Sequence, residues 1–354
     1  MEAKPTVSII INNYNYDRFL QEAIDSALNQ TYPFVEVIVV DDGSTDSSRE
    51  IISSYGSLIV PVLKSNGGQA SSLNAGFEVS KGQIIFLLDS DDLFHQEKVK
   101  KMVDLLIQNN LVGMPVIFHN MSEAIDEEGL SEKFFDPCKI LYEDWNLLSH
   151  IKGNRNFFEG EISKVCTPEQ VYEKFAVKYR YIPYIGMQTS CISISRTMAE
   201  RVFPLPVSKD KALGDHADTF LTKASSLAGL VYSTDLKFTQ YRIHGNNWHT
   251  RKEPQEKREL INKLQDDFLN SKLQEFGLAP VLSFSRSMNA VSFYRYYFGY
   301  NSGNDLLKLA LDVVKWHMDV TTFLFFVKTC IRGFYYKLAT FAHNFLSQKH
   351  QPKF

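Results

Sequence analysis

The chain has 354 residues, of which 44% are hydrophobic and 22% charged, so it can bury a core and is not globally disordered. Its 38 basic and 41 acidic residues give a net charge of −3, which argues against nucleic acid as a main partner. The four cysteines are scattered without a C-x-x-C pair, which predicts free thiols in a reducing compartment. Apolar runs are too short for a signal peptide or a membrane span of about 20 residues, so we expect a cytoplasmic protein.

Short apolar runs and helical patterns alternate over the first hundred residues. The runs lack strict alternation of apolar and polar residues, which is typical of strands buried on both faces of a parallel sheet. Between the first two runs, apolar residues recur at helical spacing from Phe19 to Leu28, with Asp17 as the predicted N-cap. The pattern predicts an open α/β sheet, whose ligands bind at the carboxyl ends of the strands. The predicted strands are Val7–Ile11, Val35–Val40, Val60–Leu63 and Ile84–Leu88.

The rest of the chain is less regular. Residues 122–185 are polar and aromatic, and a strand-like segment follows at Ser190–Ile194. Helical patterns cover Ala217–Ala228, a charged stretch from about 253 to 276, and a region from about Leu306 to the end. These patterns indicate one large α/β domain followed by a helical extension.

Two of the predicted strands end in clusters of acidic residues. Val35–Val40 is followed by DDGSTD and Ile84–Leu88 by DSDD. Carboxylates at neighbouring strand ends repel one another unless a cation neutralises them, and Mg²⁺ or Mn²⁺ is the usual one. The alternative is that these residues cap helices, because Asp and Ser are preferred at N-caps. The presence of two such clusters favours the metal site.

Four motifs in order along the first hundred residues carry a family resemblance. Residues 7–15 read VSIIINNYN, 39–46 VVDDGSTD, 66–76 NGGQASSLNAG and 86–92 FLLDSDD. Together they closely resemble the family 2 glycosyltransferases. The resemblance covers about residues 5–250 and implies the GT-A fold, a Rossmann-like open mixed sheet flanked by helices.

The resemblance implies a donor site for a nucleotide sugar. Asp42 would hydrogen-bond the nucleotide base, and Asn13 and Tyr14 would flank that pocket. Asp89 and Asp91 would form the family's D-x-D pair, in which Asp91 binds Mn²⁺ or Mg²⁺ and Asp89 faces the ribose and the metal-bound waters. The remaining implied donor-binding residues lie in the loops: Asn66, Gly68, Asn74 and Gly186.

Two later motifs imply the rest of the site. The run LGDHAD resembles the family's acidic motif near the acceptor, which makes Asp215 the implied general base and Asp218 the alternative. If Asp215 is not the base, it caps the helix that follows. The run QYRIHGNN resembles the Tyr-Arg-x-His motif and implies His244 as a further metal ligand. The implied reaction is direct displacement with inversion at the sugar.

The resemblance implies sugar transfer from a nucleotide sugar, with a UDP-sugar favoured, to a saccharide or lipid-linked acceptor in surface polysaccharide or glycoconjugate synthesis. The Q-x-x-R-W motif of processive synthases is absent, and together with the lack of membrane spans this absence predicts transfer of a single sugar. Two other interpretations stay open. A nucleotidyltransferase would need a Gly-rich phosphate loop after the first strand. A catalytically degenerate sugar-nucleotide-binding or scaffold protein is favoured by Leu73 where the family often has Arg, and by Gly214 where it usually has Glu.

The predicted domain boundaries are 1–250 for the catalytic domain and 251–354 for the α-helical extension. The catalytic domain divides into a nucleotide-sugar half, about 1–121, and an acceptor half, about 122–250. In residues 320–354 every charged side chain is basic, and apolar residues recur at helical spacing. Such a helix packs on its own domain, lies against the inner face of an anionic membrane, or forms a homodimer contact.

Overall fold

The computed structural model describes residues 4–127, 162–177, 180–208, 216–245, 247 and 255–283. The predictions for Asp215 and for the tail 320–354 lie outside these residues. The strands are β1 (Val7–Asn13), β2 (Val35–Asp41), β3 (Val60–Leu63), β4 (Ile84–Asp89), β5 (Leu93–Phe94), β6 (Val116–Ile125), β7 (Ser163–Cys166), β8 (Ile192–Ser195) and β9 (Leu230–Arg242). The helices are α1 (Asp17–Leu28), α2 (Ser48–Ser54), α3 (Gln69–Val79), α4 (Lys98–Gln108), α5 (Pro168–Val171), α6 (Arg196–Val202), α7 (Ala217–Ala228) and α8 (Gln255–Glu275).

One mixed sheet joins these strands in the order β3-β2-β1-β4-β8-β6-β9-β5, with β7 paired to β9. Its first four strands are mutually parallel, whereas β8 runs antiparallel to both β4 and β6. Strand β9 is parallel to β6 and antiparallel to β5 and β7. The predicted open mixed sheet with flanking helices is confirmed.

Burial on both faces explains why the apolar runs predicted the early strands well. The side chains of β1 from Val7 to Ile11 and of β4 from Ile84 to Leu88 are all buried. Helix α1 covers the sheet with its predicted apolar positions. The prediction that Asp17 caps this helix is wrong: Tyr16 is the cap, and the Asp17 carboxylate accepts a hydrogen bond from the Ser47 N–H (3.2 Å) at the start of α2.

The register of the parallel strands brings polar residues of different motifs to one edge of the sheet. Asn13 at the end of β1 pairs with Asp41 at the end of β2, and Asn12 pairs with Asp89 at the end of β4. Asp42 follows directly and donates its backbone N–H to the Asn13 carbonyl (2.9 Å). The carboxyl edge of β1, β2 and β4 therefore holds the residues that the sequence singled out.

Helix α8 packs on α7 within the compact unit Met1–Lys178 and Ile182–Leu282. The rings of Phe220 and Phe268 meet edge to face at 5.9 Å, and Lys223 donates to Gln265 Oε1 (2.7 Å). The division near residue 250 stays a prediction, with α8 lying in the same unit as the sheet. Within the described ranges, no helix has both the length and the apolar character needed to cross a membrane.

Candidate active site

The acidic loop, residues 89–92, joins β4 to β5 at the polar edge of the sheet. Within it, Asp91 Oδ2 lies 3.0 Å from His244 Nε2. The His244 ring packs at 5.6 Å from the Tyr16 ring and 5.2 Å from the Phe19 ring, so aromatic neighbours fix its position. The structure thus brings together two predicted metal ligands that lie 153 positions apart in the chain.

The side chain of Gln69, the first residue of α3 and part of the motif at 66–76, holds the Asp89 carboxylate by a hydrogen bond. The Gln69 amide donates to Asp89 Oδ1 (2.9 Å) and to Thr189 Oγ1 (3.1 Å). Burial raises the pKa of Asp89 to about 7, and the negative charges of Asp91 and Asp218 act in the same direction. A cation bound beside these carboxylates would relieve that repulsion.

Arg242, at the end of β9, fixes the acidic loop from its other side. Its Nε donates to the Asp91 carbonyl (3.0 Å), and its backbone N–H donates to Asp92 Oδ1 (3.0 Å). Arg242 is 1% exposed. Its guanidinium pairs with Glu22 (2.7 Å) and lies 4.8 Å from the Phe19 ring centroid. Burial, followed by the charge of Asp91, raises the pKa of Asp92 well above its ordinary value. Arg242 therefore orders the loop that carries Asp91.

The chemistry of the donor set fits a hard divalent cation only in part. Asp91 offers carboxylate oxygen and His244 offers imidazole nitrogen, both of which bind Mn²⁺. Among the described residues, no group of three or more His, Cys, Asp or Glu side chains is arranged to hold a metal ion. A cation at this site would therefore complete its coordination with donor phosphate oxygens and water, as Mg²⁺ usually does in phosphate sites.

Asp42 lies at the centre of a second cluster, the Asp42 pocket, formed by Asp42 and residues 64–68. It is 2% exposed and accepts hydrogen bonds from Lys64 Nζ and Asn66 Nδ2 (3.2 Å). The backbone N–H groups of Gly67 (2.9 Å) and Gly68 (2.7 Å) donate to the same carboxylate. Gly68 has φ of +84°, a conformation that glycine adopts without strain. The carboxylate thus fixes the loop, and a base N–H would share it with these donors.

Of the other predicted donor-binding residues, two form hydrogen bonds within the protein and one is exposed. Asn13 is buried and donates to Ser44 Oγ (3.2 Å). Asn74 forms two hydrogen bonds with the backbone of Leu205, one to its carbonyl (2.9 Å) and one from its N–H (2.8 Å). Tyr14 is 47% exposed at the same edge. The roles of Asn13 and Asn74 toward a donor stay predictions, and Tyr14 is open to a ligand.

Gly186 lies in the irregular segment 180–188, which packs against α7 and β6. A Cβ at this position would come within 2.5 Å of Thr222 Cγ2 and 3.3 Å of His119 Cε1. Packing alone therefore requires glycine here. Its predicted contact with the donor stays a prediction.

Because of His119 on β6, we expect the stability of the fold to decrease in acid. It is 1% exposed, neither ring nitrogen has a hydrogen-bond partner among the described residues, and burial lowers its pKa to about 3. A histidine in the unfolded chain has a pKa of about 6.5. The contribution of His119 to the free energy of unfolding is therefore fully present above that pH and is lost as the pH falls below it. Between pH 7.5 and 5.0 we expect His119 to remove about 2 kcal/mol of the free energy of unfolding.

Urea unfolding at both pH values measures this loss. His119→Phe should remove most of it, whereas His95→Phe, at an exposed histidine, should leave it in place. An acid loss in His119→Phe equal to that of the wild type would contradict the assignment.

Of the two predicted general bases, Asp218 lies among the described residues and Asp215 does not. Asp218 Oδ2 lies 3.1 Å from the Tyr184 hydroxyl, and Oδ1 accepts from the Thr219 N–H (2.7 Å). Its charge also raises the pKa of Asp89, which places Asp218 within electrostatic reach of the acidic loop. The charge of Asp218 therefore acts on Asp89 of the acidic loop.

Sequence reasoning missed several residues that build this site. Lys64 follows β3 directly, and a lysine at a strand end beside an acidic cluster was the available signal. Gln69 and Arg242 lie inside motifs that the sequence identified, but the residues that they contact, Asp89 and Asp91, belong to another motif of the chain. The strand predicted from Ser190 starts instead at Ile192, because Ser190 lies in a 3-10 turn, Thr189–Cys191, and bonds to the acidic loop.

Comparisons with known proteins agree with this geometry. The family model described as Glycosyl transferase family 2 matches residues 8–178. An uncharacterized glycosyltransferase of Nostoc sp. (strain PCC 7120) is 27% identical, over 80% of this chain and 80% of its own length. A putative teichuronic acid biosynthesis glycosyltransferase, TuaG of Bacillus subtilis, is 33% identical over 40% of this chain, which spans 57% of TuaG.

Among solved structures, the crystal structure of S. aureus TarS 1-349 superimposes with a TM-score of 0.50, at 13% identity. The match covers 85% of this chain and 77% of that chain. At this identity the likeness concerns the fold alone, and it agrees with the predicted GT-A architecture. The part of the chain that matches glycosyl transferase family 2 is therefore residues 8–178, which include the four early motifs from Ser8 onward and the acidic loop.

Proposed function

We propose that the chain transfers a single sugar from a nucleotide-sugar donor to a hydroxyl acceptor, with inversion at the sugar and with a UDP-sugar as the favoured donor. The observation that carries the proposal is the pairing of Asp91 with His244 at 3.0 Å at the carboxyl edge of the sheet. A carboxylate and an imidazole from two distant motifs meet there, beside the buried Asp42 pocket. The family supports the reaction class, and the pairing supports a site for a diphosphate.

The donor would lie along the edge formed by β1, β2 and β4. Asp42 would accept from a base N–H, as the loop N–H groups of Gly67 and Gly68 already do. The exposed ring of Tyr14 offers a stacking surface, because aromatic faces bind flat heterocycles. Lys64, paired with Asp42, contributes positive charge close to an anionic ligand.

Asp91 and His244 would hold Mn²⁺ or Mg²⁺, with Asp89 close by. Such a cation, when bound, stabilises the negative charge that develops on the departing diphosphate. Arg242 keeps the Asp91 carbonyl in place, and Gln69 orients the Asp89 carboxylate. These residues therefore pre-organise the site before the donor arrives.

Asp215 would take the proton from the acceptor hydroxyl as that oxygen attacks the anomeric carbon. Asp218, three residues further along the chain and hydrogen-bonded to Tyr184, is the alternative base. Attack from the face opposite the leaving nucleoside diphosphate inverts the anomeric configuration. The charge of Asp218 acts on Asp89 of the acidic loop, which supports the proposal that a carboxylate of this motif works close to the donor.

The acceptor class is proposed from the relatives and the tail. TuaG is described as a putative teichuronic acid biosynthesis glycosyltransferase, which supports a role in surface polysaccharide synthesis. The basic, Phe-rich segment 320–354 favours contact with an anionic membrane, where a lipid-linked acceptor would be found. Co-sedimentation with anionic liposomes should be lost in a chain ending at Asp319. Equal pelleting of the two chains would contradict membrane contact.

A thermal-shift panel of UDP-, GDP-, dTDP- and CDP-sugars tests the function. With Mn²⁺, one donor class should raise the unfolding midpoint, and at 100 times its Kd it should add about 2.7 kcal/mol of stability. With EDTA in place of Mn²⁺ the shift should shrink, because Asp91 and His244 then hold no cation. No shift by any sugar nucleotide would contradict the proposal. Binding without transfer would instead favour a catalytically degenerate sugar-nucleotide-binding protein.

A further inference from the structure

Lys98, the first residue of α4, is a buried cation behind the acidic loop. It is 0% exposed, and its ammonium group donates to the Ser190 carbonyl and to Thr239 Oγ1 (2.9 Å). The same group lies 3.6 Å from the centroid of the Phe94 ring. Burial lowers the pKa of Lys98 to about 7, while Asp92 is among the groups that act in the opposite direction. Burying such a group is costly, so its hydrogen bonds must hold it firmly in place.

Ser190 connects Lys98 to the acidic loop. Its carbonyl accepts from Lys98 and from Thr239 Oγ1 (2.9 Å), which fixes its backbone. Its hydroxyl accepts from the Asp89 backbone N–H (3.0 Å). A chain of hydrogen bonds thus runs from Lys98 through Ser190 to Asp89, the first residue of the acidic loop.

Four elements meet at this point. Lys98 belongs to α4, Phe94 to β5, Thr239 to β9, and Ser190 to the 3-10 turn before β8. The hydrogen bonds of Lys98 end on Ser190 and Thr239 rather than on Asp89 or Asp91, so its hydrogen-bonded connection to the site passes through those two residues. Their arrangement fixes the loop from the side of α4, whereas Arg242 holds the Asp91 carbonyl.

We propose that Lys98 is a positioning residue of the donor site. Through Ser190 and Thr239 it fixes the backbone at Asp89, and so it sets the affinity for a metal-bound nucleoside diphosphate. This inference rests on the proposed function. The Asp42 pocket shares no hydrogen bond with Lys98, so contacts to the nucleotide base are independent of it.

The test is calorimetric titration of the full chain with UDP, in Mn²⁺ and in EDTA. Lys98→Met keeps an unbranched apolar stem but removes both hydrogen bonds. We expect the Kd for UDP in Mn²⁺ to rise about tenfold, the effect typical of losing a residue that orients a metal ligand without contacting the metal. The Kd in EDTA should not change. Thr239→Val, which removes one of the two partners, should give a smaller rise in the same direction.

Lys101→Met, at an exposed lysine of the same helix, is the matched control and should bind as the wild type does. An unchanged Kd in Mn²⁺ for folded Lys98→Met would overturn the inference while leaving the proposed function intact. Equal losses in Mn²⁺ and EDTA would also overturn it, because they would show a general structural role. If Lys98→Met does not fold, the same criteria apply to Thr239→Val. If the wild type gains no affinity from Mn²⁺, the proposed metal site fails and the inference with it.

Discussion

Asp91→Ala is expected to abolish the metal-dependent part of nucleotide binding and to reduce sugar transfer by at least about 10²-fold. Asp91 supplies the carboxylate of the pair with His244, and its replacement by alanine removes that carboxylate from the polar edge of the sheet. The several kcal/mol that a bound cation contributes to charge stabilisation would then be lost. Calorimetric titration with UDP in Mn²⁺ and in EDTA, together with initial rates of UDP release, measures both effects.

Asp235→Ala is the matched control for this variant, because Asp235 is an exposed aspartate on β9. It should bind and react as the wild type does. His244→Ala should weaken the response to Mn²⁺ in the same direction as Asp91→Ala. Undiminished Mn²⁺-dependent binding by folded Asp91→Ala would show that the cation lies elsewhere.

Asp215→Asn is expected to keep donor binding but to reduce transfer by about 10²-fold or more, as for removal of a general base. Asparagine keeps the shape of the side chain and cannot take the acceptor proton. The measurement is the initial rate at saturating donor, alongside the Kd for the donor with Mn²⁺.

Asp218→Asn distinguishes the two candidate bases. If Asp215 is the base, Asp218→Asn should lower the rate far less, since Asp218 then serves mainly through its contact with Tyr184. Normal transfer by Asp215→Asn combined with a large loss in Asp218→Asn would move the role to Asp218. Normal transfer by both variants would show that neither carboxylate accepts the proton.

The strand ends were predictable because their physics is local. An apolar run buried on both faces forms a parallel strand, and a polar residue ends it. In β1, β2 and β4 the structure extends the predicted runs by only one or two residues, into Asn13, Asp41 and Asp89. Parallel register then brings these ends to one edge, as an open α/β sheet requires.

The residues behind the site could not be predicted from local pattern. Lys98 begins a stretch with three lysines, a composition typical of a solvated helix face, yet it is fully buried. Arg242 contacts Asp91 across 151 positions and Glu22 across 220. Such partners depend on β9 pairing with both β6 and β5, and no period in the sequence specifies that pairing.

Asp42 has a structural role that its motif did not indicate. The motif identified Asp42 as a candidate for base recognition, but its carboxylate also anchors Lys64 and the glycine N–H groups of the following loop. A buried carboxylate needs such donors whether or not a ligand is present. The sequence therefore predicted where the residue lies, while the structure adds that it shapes the loop as well.

The most direct test is anomalous diffraction from crystals soaked with Mn²⁺ and UDP. We expect one anomalous peak within coordination distance of both the Asp91 carboxylate and the His244 ring, with the diphosphate oxygens completing its shell. UDP bound in the Asp42 pocket without a peak at Asp91 and His244, or a Mn²⁺ peak away from them, would contradict the proposed metal site.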